Sequence, residues 1–388
     1  LGLDGMIDPS RIPLSLYIHW PWCVRKCPYC DFNSHRRPAD LEVLEPRYID
    51  ALLRDLASWA PYAAGRQVIS IFIGGTPSLM SGAGVARLIE GAAALYPLAP
   101  DCEITLEANP GTTDEKKFQD FRLAGVNRLS LGVQSLSDDR LQRIGRIHSA
   151  ADARRAIAQA SKVFENFNLD FMFALPGETM ASLAAELDEA ASSGATHLSC
   201  YQLTIEPGTA FAKRMPEGLP DADATADMGD MVAERLAAAG FERYEVSGYA
   251  KPGRRCRHNL NYWTFGDYFA AGAGAHGKAT SAGGVHREAR FASPARYLEA
   301  VQKCGNGASE AADVEKDALP FEFMLNALRL VDGVPAALFE ERTGLALERI
   351  EPTLAALRRE KLLDPDASVL RTTPLGLRFL SDVQEAFL

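Results

Sequence analysis

At 388 residues, with 47% hydrophobic and 24% charged side chains, the chain is long enough for one large domain plus a small one and can bury a full core. Its net charge of −10 argues against nonspecific nucleic-acid binding, which draws most of its affinity from neutralised phosphates. Residues 1–11 show no signal peptide, no apolar run of roughly eighteen residues could span a bilayer, and seven cysteines with three clustered suggest reduced thiols. A cytoplasmic protein without a disulfide framework is therefore expected.

In chain order, the first apolar run is Ser15–Trp20, and it leads into Cys23-Val-Arg-Lys-Cys27-Pro-Tyr-Cys30. Three thiols at this spacing can converge on one inorganic centre but are badly placed for disulfides. With no fourth Cys or His at short spacing, they fit a [4Fe–4S] cluster that leaves one iron open. A structural zinc site would want a second ligand pair about 12 to 20 residues on, and none is present.

Five further apolar runs follow: Val68–Ile73, Glu103–Ala108, Arg128–Val133, Asn168–Phe173 and His197–Leu203. Segments of helical periodicity separate them, around Tyr48–Leu56, Val85–Leu95, Phe118–Ala124, Ala151–Val163 and Ala181–Ala191, with Asp227–Ala239 after the last. Near-continuous apolar strands covered by helices mean an α/β fold with a parallel sheet, here a partial (β/α)6-type barrel. A polar or glycine-rich feature sits at or just beyond the end of each run: the cysteine loop, Gly74-Gly75-Thr76-Pro77, Glu107 with Asn109-Pro110, Gln134, Asp170, and Tyr201 with Gln202. That edge is where such barrels assemble their active sites.

Beyond Leu203 the pattern loosens. A seventh strand is expected over Tyr244–Tyr249, then Cys256-Arg-His-Asn-Leu-Asn-Tyr-Trp263 and a glycine-rich Ala271–Gly277. The reading divides the chain into a barrel with its extension over 1–303, a polar linker over 304–317, and a winged-helix-like domain over 318–388. In that last domain, Phe321–Leu330, Ala336–Arg342 and Leu347–Lys361 read as helices, followed by a short strand at Val369 and a helix over Leu375–Leu388. From Glu315 onward it holds thirteen acidic and nine basic residues, which favours a lid or docking role over duplex binding. Cys102, Cys200 and Cys304 read as buried small residues.

These residues carry a family resemblance. The C-x3-C-x2-C loop, the preceding Tyr17-Ile-His-Trp-Pro-Trp and the Gly-Gly-Thr-Pro turn make the chain resemble the radical S-adenosylmethionine (SAM) superfamily, within its coproporphyrinogen-oxidase-like group. The resemblance implies that Cys23, Cys27 and Cys30 hold a [4Fe–4S] cluster whose open iron binds SAM. It also places Tyr17, Gly74, Glu107, Gln134, Arg146 and Asp170 among the SAM contacts. Chemistry adds Gly75 for close backbone approach, the Thr76 hydroxyl, and Tyr29 against the adenine; Arg146 can pair with a carboxylate.

Two features select a branch. Oxygen-independent coproporphyrinogen oxidases continue C-x3-C-x2-C-x-C, whereas here Phe32 stands at the fourth position; only fourteen residues precede the first strand, too few for their N-terminal extension. The motif His258-Asn-Leu-Asn-Tyr262-Trp263 is similar to that of the haem chaperones of this group. The resemblance implies haem as bound cargo, acceptor haem proteins as partners, an electron donor, and peripheral membrane contact only through acceptors. His258 is a candidate axial ligand with Cys256 and His276 as rivals, Tyr262 and Trp263 are candidate walls, and Arg254, Arg255 and Arg257 candidate propionate partners. SAM-radical decarboxylation of coproporphyrinogen III and radical opening of haem are the alternative activities.

Overall fold

The computed structural model describes residues 5–388. Its strands, in chain order, are β1 Leu14–Trp20, β2 Val68–Gly75, β3 Leu98–Ala108, β4 Arg128–Gln134, β5 Phe167–Phe173 and β6 His197–Gln202, then β7 Glu242–Arg243, β8 Gly248–Ala250, β9 Asp267–Ala271, β10 His276–Ser281, β11 Gly284–Arg290 and β12 Ala308–Asp313. These twelve form the main sheet, in the order β12-β11-β10-β9-β1-β2-β3-β4-β5-β6-β8-β7, and two short two-stranded ladders lie outside it. The stretch from β9 to β6 is parallel throughout. Such a run needs helical crossovers, and these supply the outer layer: α1 Leu41–Ala57, α2 Gly82–Leu95, α3 Glu115–Leu123, α4 Asp138–Arg143, α5 Ala150–Val163 and α6 Met180–Ala191, with α7 Ala210–Lys213 and α8 Ala222–Ala238 after β6.

Local chemistry sets these helices. In α5, Ala153, Ala156, Ile157 and Ala160 form a buried stripe at helical spacing, and Ser149 with Asp152 closes a capping box at its start. Thr179 and Ser182 do the same for α6, while Ser81 and Asp114 cap α2 and α3. Their buried faces join the inner strands in one core that includes Leu16, Ile71, Leu106, Leu131 and Leu169. Among the described residues, no helix is long and apolar enough to cross a membrane.

The second half departs from the sequence reading in several places. Tyr244–Tyr249 is a hairpin, not a strand: the Tyr244 amide donates to the Gly248 carbonyl at 3.1 Å, and β8 runs antiparallel to β6. The seventh parallel strand is β9, which lies against β1 on the opposite side. Its signal is obscured because Asp267 is buried there with Arg66 and Lys278, both at 2.8–2.9 Å, so a charged residue occupies a core position. The stretch 304–317 is not a free linker, since Ala308–Asp313 forms the edge strand β12 paired with β11. Cys304 is exposed at the end of a helix, not buried.

The barrel extension adds α9 Arg257–Trp263 and α10 Pro294–Cys304; the C-terminal part holds α11 Leu319–Ala327, α12 Ala337–Thr343, α13 Glu351–Arg359, α14 Pro374–Arg378 and α15 Leu380–Glu385. The helix expected over Leu347–Lys361 is broken, because Pro352 starts α13 afresh after a short 3-10 turn. The last helix divides in two at Phe379. A two-strand wing pairs Val334–Pro335 with Val369–Leu370. A second core, containing Phe323, Phe339, Leu354 and Val383, also takes in Tyr244, Cys256 and Phe265, so this part packs on the barrel.

Candidate functional site

The cysteine loop leaves β1 and is tied at both ends. Trp22–Cys23 pairs in parallel with His35–Arg36, the His35 amide donates to the Pro21 carbonyl at 2.7 Å, and the Arg37 amide to the Cys23 carbonyl at 2.9 Å. Asn33 anchors the middle: its Nδ2 donates to the carbonyls of Ala273 and Ala292, both at 2.8 Å, and its own carbonyl lies 2.8 Å from His19 Nε2. A Cβ on Gly274 would meet the Asn33 side chain at 2.4 Å, and its φ is +78°. The glycine-rich segment therefore exists in part to admit Asn33. Sequence reasoning singled out that segment but missed its partner, along with His19.

Behind the loop, at the C-terminal ends of β1 to β6, a cavity of about 270 Å³ is lined by Tyr17, the three cysteines, Tyr29, Gly75, Thr76, Glu107, Gln134, Arg146 and Asp170. The structure thus brings together every residue expected at the SAM site except Gly74, which lies under the Tyr17 and Phe72 rings. Gly75 has φ +92°, and a Cβ there would lie 2.2 Å from the Trp20 carbonyl oxygen, so only glycine fits. Its amide donates to Glu107 Oε2 at 2.7 Å.

Burial, reinforced by the neighbouring Asp170, pushes the Glu107 carboxyl up to about 8. Burial raises Asp170 as well, against hydrogen bonds from Asn168 and Ser130. Gln134 sits at φ +68°, where its Oε1 accepts from Tyr201 at 2.5 Å. Arg146 Nη2 donates to Asn109 Oδ1 at 2.6 Å and to the Gly132 carbonyl at 2.8 Å, while its buried Nε has no partner.

The His258 motif lies elsewhere. It forms α9, which packs on β2 inside the sheet, and the His258 ring stacks on Phe72 with centroids 4.2 Å apart. Phe72 in turn lines the cavity, so it stands between His258 and any ligand there. His258 is 5% exposed, with Cys256 Sγ 3.2 Å and Glu103 Oε1 3.7 Å from its Nδ1. In this structure His258 does not face the cavity, and Phe72 lies between the two. Cys256 is equally buried, whereas His276 is exposed.

Tyr262 packs edge-on against Tyr268, and Trp263 lies beneath Arg329 at 4.3 Å, linking the motif to the C-terminal part; neither forms a wall of the cavity. Arg255 pairs with Asp332 at 2.9 Å and Arg257 with Asp101 at 2.6 Å, so two of the three candidate propionate partners are already engaged, while Arg254 is exposed.

Residues 17–190 match the Radical SAM superfamily and residues 314–379 the HemN C-terminal domain. Heme chaperone HemW of Escherichia coli (strain K12) is 46% identical over 97% of this chain and 98% of its own length. That of Bacillus subtilis (strain 168) is 34% identical over 96% and 99%. The chain belongs to the HemW family. Its fold also matches coproporphyrinogen III oxidase (HemN) from Escherichia coli, with a TM-score of 0.81 over 98% of this chain and 91% of that one, at 22% identity.

As a radical SAM protein, this HemW-family chain takes a [4Fe–4S] cluster and SAM, and its residues fit both. The one group among the described residues whose ligand atoms all lie within 4.8 Å of one another is Glu103, Cys256 and His258, so the three loop cysteines are spread too widely to grip a single ion. Three thiols lining one cavity are the donor set of a cluster that keeps one iron open. For SAM, the cavity offers the buried carboxyls of Glu107 and Asp170, of which only Asp170 feels a nearby cation, Arg128, and the guanidinium Nε of Arg146 without a partner, groups that an ammonium, hydroxyls and a carboxylate would satisfy.

Proposed function

We propose that the chain is a haem chaperone that takes up haem at the mouth of the cavity and passes it to acceptor haem proteins, carrying the cluster and SAM beside it. One observation carries the location: Phe32, where the oxidases place a fourth cysteine, is 70% exposed at the cavity rim. Val24 at 36% and Ile147 at 51% exposure line the same cavity, and exposed apolar side chains gathered at one site are of the kind that marks a binding surface. Arg25, Lys26, Arg36 and Arg37 stand exposed on the same loop, in a chain whose net charge is −10. An apolar plate bearing two carboxylates matches that combination.

In this reading Cys23, Cys27 and Cys30 hold the cluster, which supplies one-electron chemistry to bound SAM when an electron donor reduces it. Tyr17, Gly75, Thr76, Glu107, Gln134, Arg146 and Asp170 orient SAM, and Tyr29 closes the side nearest the cysteines. Phe72 and the α9 plug shut the barrel floor, keeping water from below. The protein works in the cytoplasm and meets membranes only through its acceptors.

The test is anaerobic reconstitution with iron and sulfide, expected to give about four irons per chain and a cluster EPR signal that SAM perturbs. Haem titration should then show a saturable Soret shift that Phe32→Asp weakens at least tenfold, and transfer to an apo-haem protein. Incubation with coproporphyrinogen III, SAM and reductant should leave the porphyrinogen unchanged; its conversion to protoporphyrinogen would overturn the chaperone reading.

A further inference from the structure

Each sulfur of the cysteine loop meets a different hydrogen-bond donor. The Phe32 amide donates to Cys30. Arg146 Nη1 approaches Cys27 Sγ at 3.7 Å. Ser34 Oγ donates to Cys23 Sγ at 2.8 Å, closer than Arg146 lies to Cys27. The backbone around Ser34 is fixed on both sides: its neighbours His35 and Arg36 form the short ladder with Trp22 and Cys23, and Asn33 is clamped to Ala273 and Ala292. The hydroxyl is therefore held opposite the one cysteine of the loop that is buried.

Hydrogen bonds to ligand sulfurs are among the levers that set cluster potentials. A donor withdraws electron density from a thiolate sulfur and favours the reduced state, which carries one more negative charge. The hydroxyl, unlike the Phe32 amide, is a side-chain choice that substitution can remove. It also acts at short range, whereas Arg146 divides its donors between Asn109 and Gly132.

We propose that Ser34 is a positioning residue that raises the reduction potential of the cluster by donating to Cys23 Sγ, so that a cellular donor can reduce it. The inference rests on the cluster reading above. The experiment is an EPR-monitored redox titration of the reconstituted, SAM-free protein, comparing Ser34→Ala and Ser34→Thr with the unaltered chain.

Ser34→Ala should lower the ratio of reduced to oxidised cluster at a fixed solution potential about tenfold, equivalent to 59 mV for a one-electron couple. Ser34→Thr, which keeps the hydroxyl, should restore it to within twofold. Equal potentials in all three proteins at full iron content would overturn the proposal. So would a Ser34→Ala protein that no longer retains its iron, since the hydroxyl would then serve cage assembly. Absence of a cluster from the unaltered protein would instead sink the cluster reading itself.

Discussion

His258→Ala separates a structural role for the HNxxYW helix from a ligand role, and its magnitude follows from what the imidazole touches. The ring stacks on Phe72 at a centroid distance of 4.2 Å with planes 3° apart; an aromatic pair of this kind contributes about 0.5–1.5 kcal/mol beyond burial. Removing the imidazole also leaves Glu103, itself buried, without one of its partners, which costs about 1–3 kcal/mol. The Arg257 amide still donates to Glu103 at 2.9 Å, which holds the total to about 1.5–4 kcal/mol. Urea unfolding of the cluster-free protein should show that destabilisation, while the Soret shift on haem addition keeps its wild-type midpoint. A variant as stable as wild type that has lost the Soret shift would refute the reasoning and return His258 to the haem.

Two further outcomes are expected. Glu107 has its folded-state value raised to about 8, so between roughly pH 4.5 and 8 the unfolded chain releases a proton that the folded chain keeps, and ligand-free stability falls as pH rises. Glu107→Gln should remove up to about 1.4 kcal/mol of that fall per pH unit, read from urea midpoints at pH 5.5, 6.5 and 7.5; parallel pH profiles for the two proteins would contradict the burial argument. Gly274→Ala should release iron to a chelator several-fold faster with an unchanged far-UV spectrum, because its Cβ would displace Asn33 from the cysteine loop; wild-type release kinetics would show that the clamp is not needed.

Local pattern determined much of this protein. Apolar runs with helical spacers imply the parallel sheet, since strands buried on both faces leave no polar alternation, and the cysteine spacing marks the cluster loop by itself. The residues ending each run share the barrel mouth, because consecutive parallel strands point the same way. Tertiary structure decided the rest. Strand β9 was hidden because Asp267 is neutralised by Arg66 and Lys278, and Arg66 is distant in sequence. Asn33 became visible only when Gly274 was brought against it.

His258 shows the limit most clearly. A histidine among aromatics has the composition of a ligand site, yet burial and the intervening Phe72 make it part of the floor. Exposure of Phe32, by contrast, follows from a loop pinned at both its ends, a property of the folded chain that no single residue type encodes.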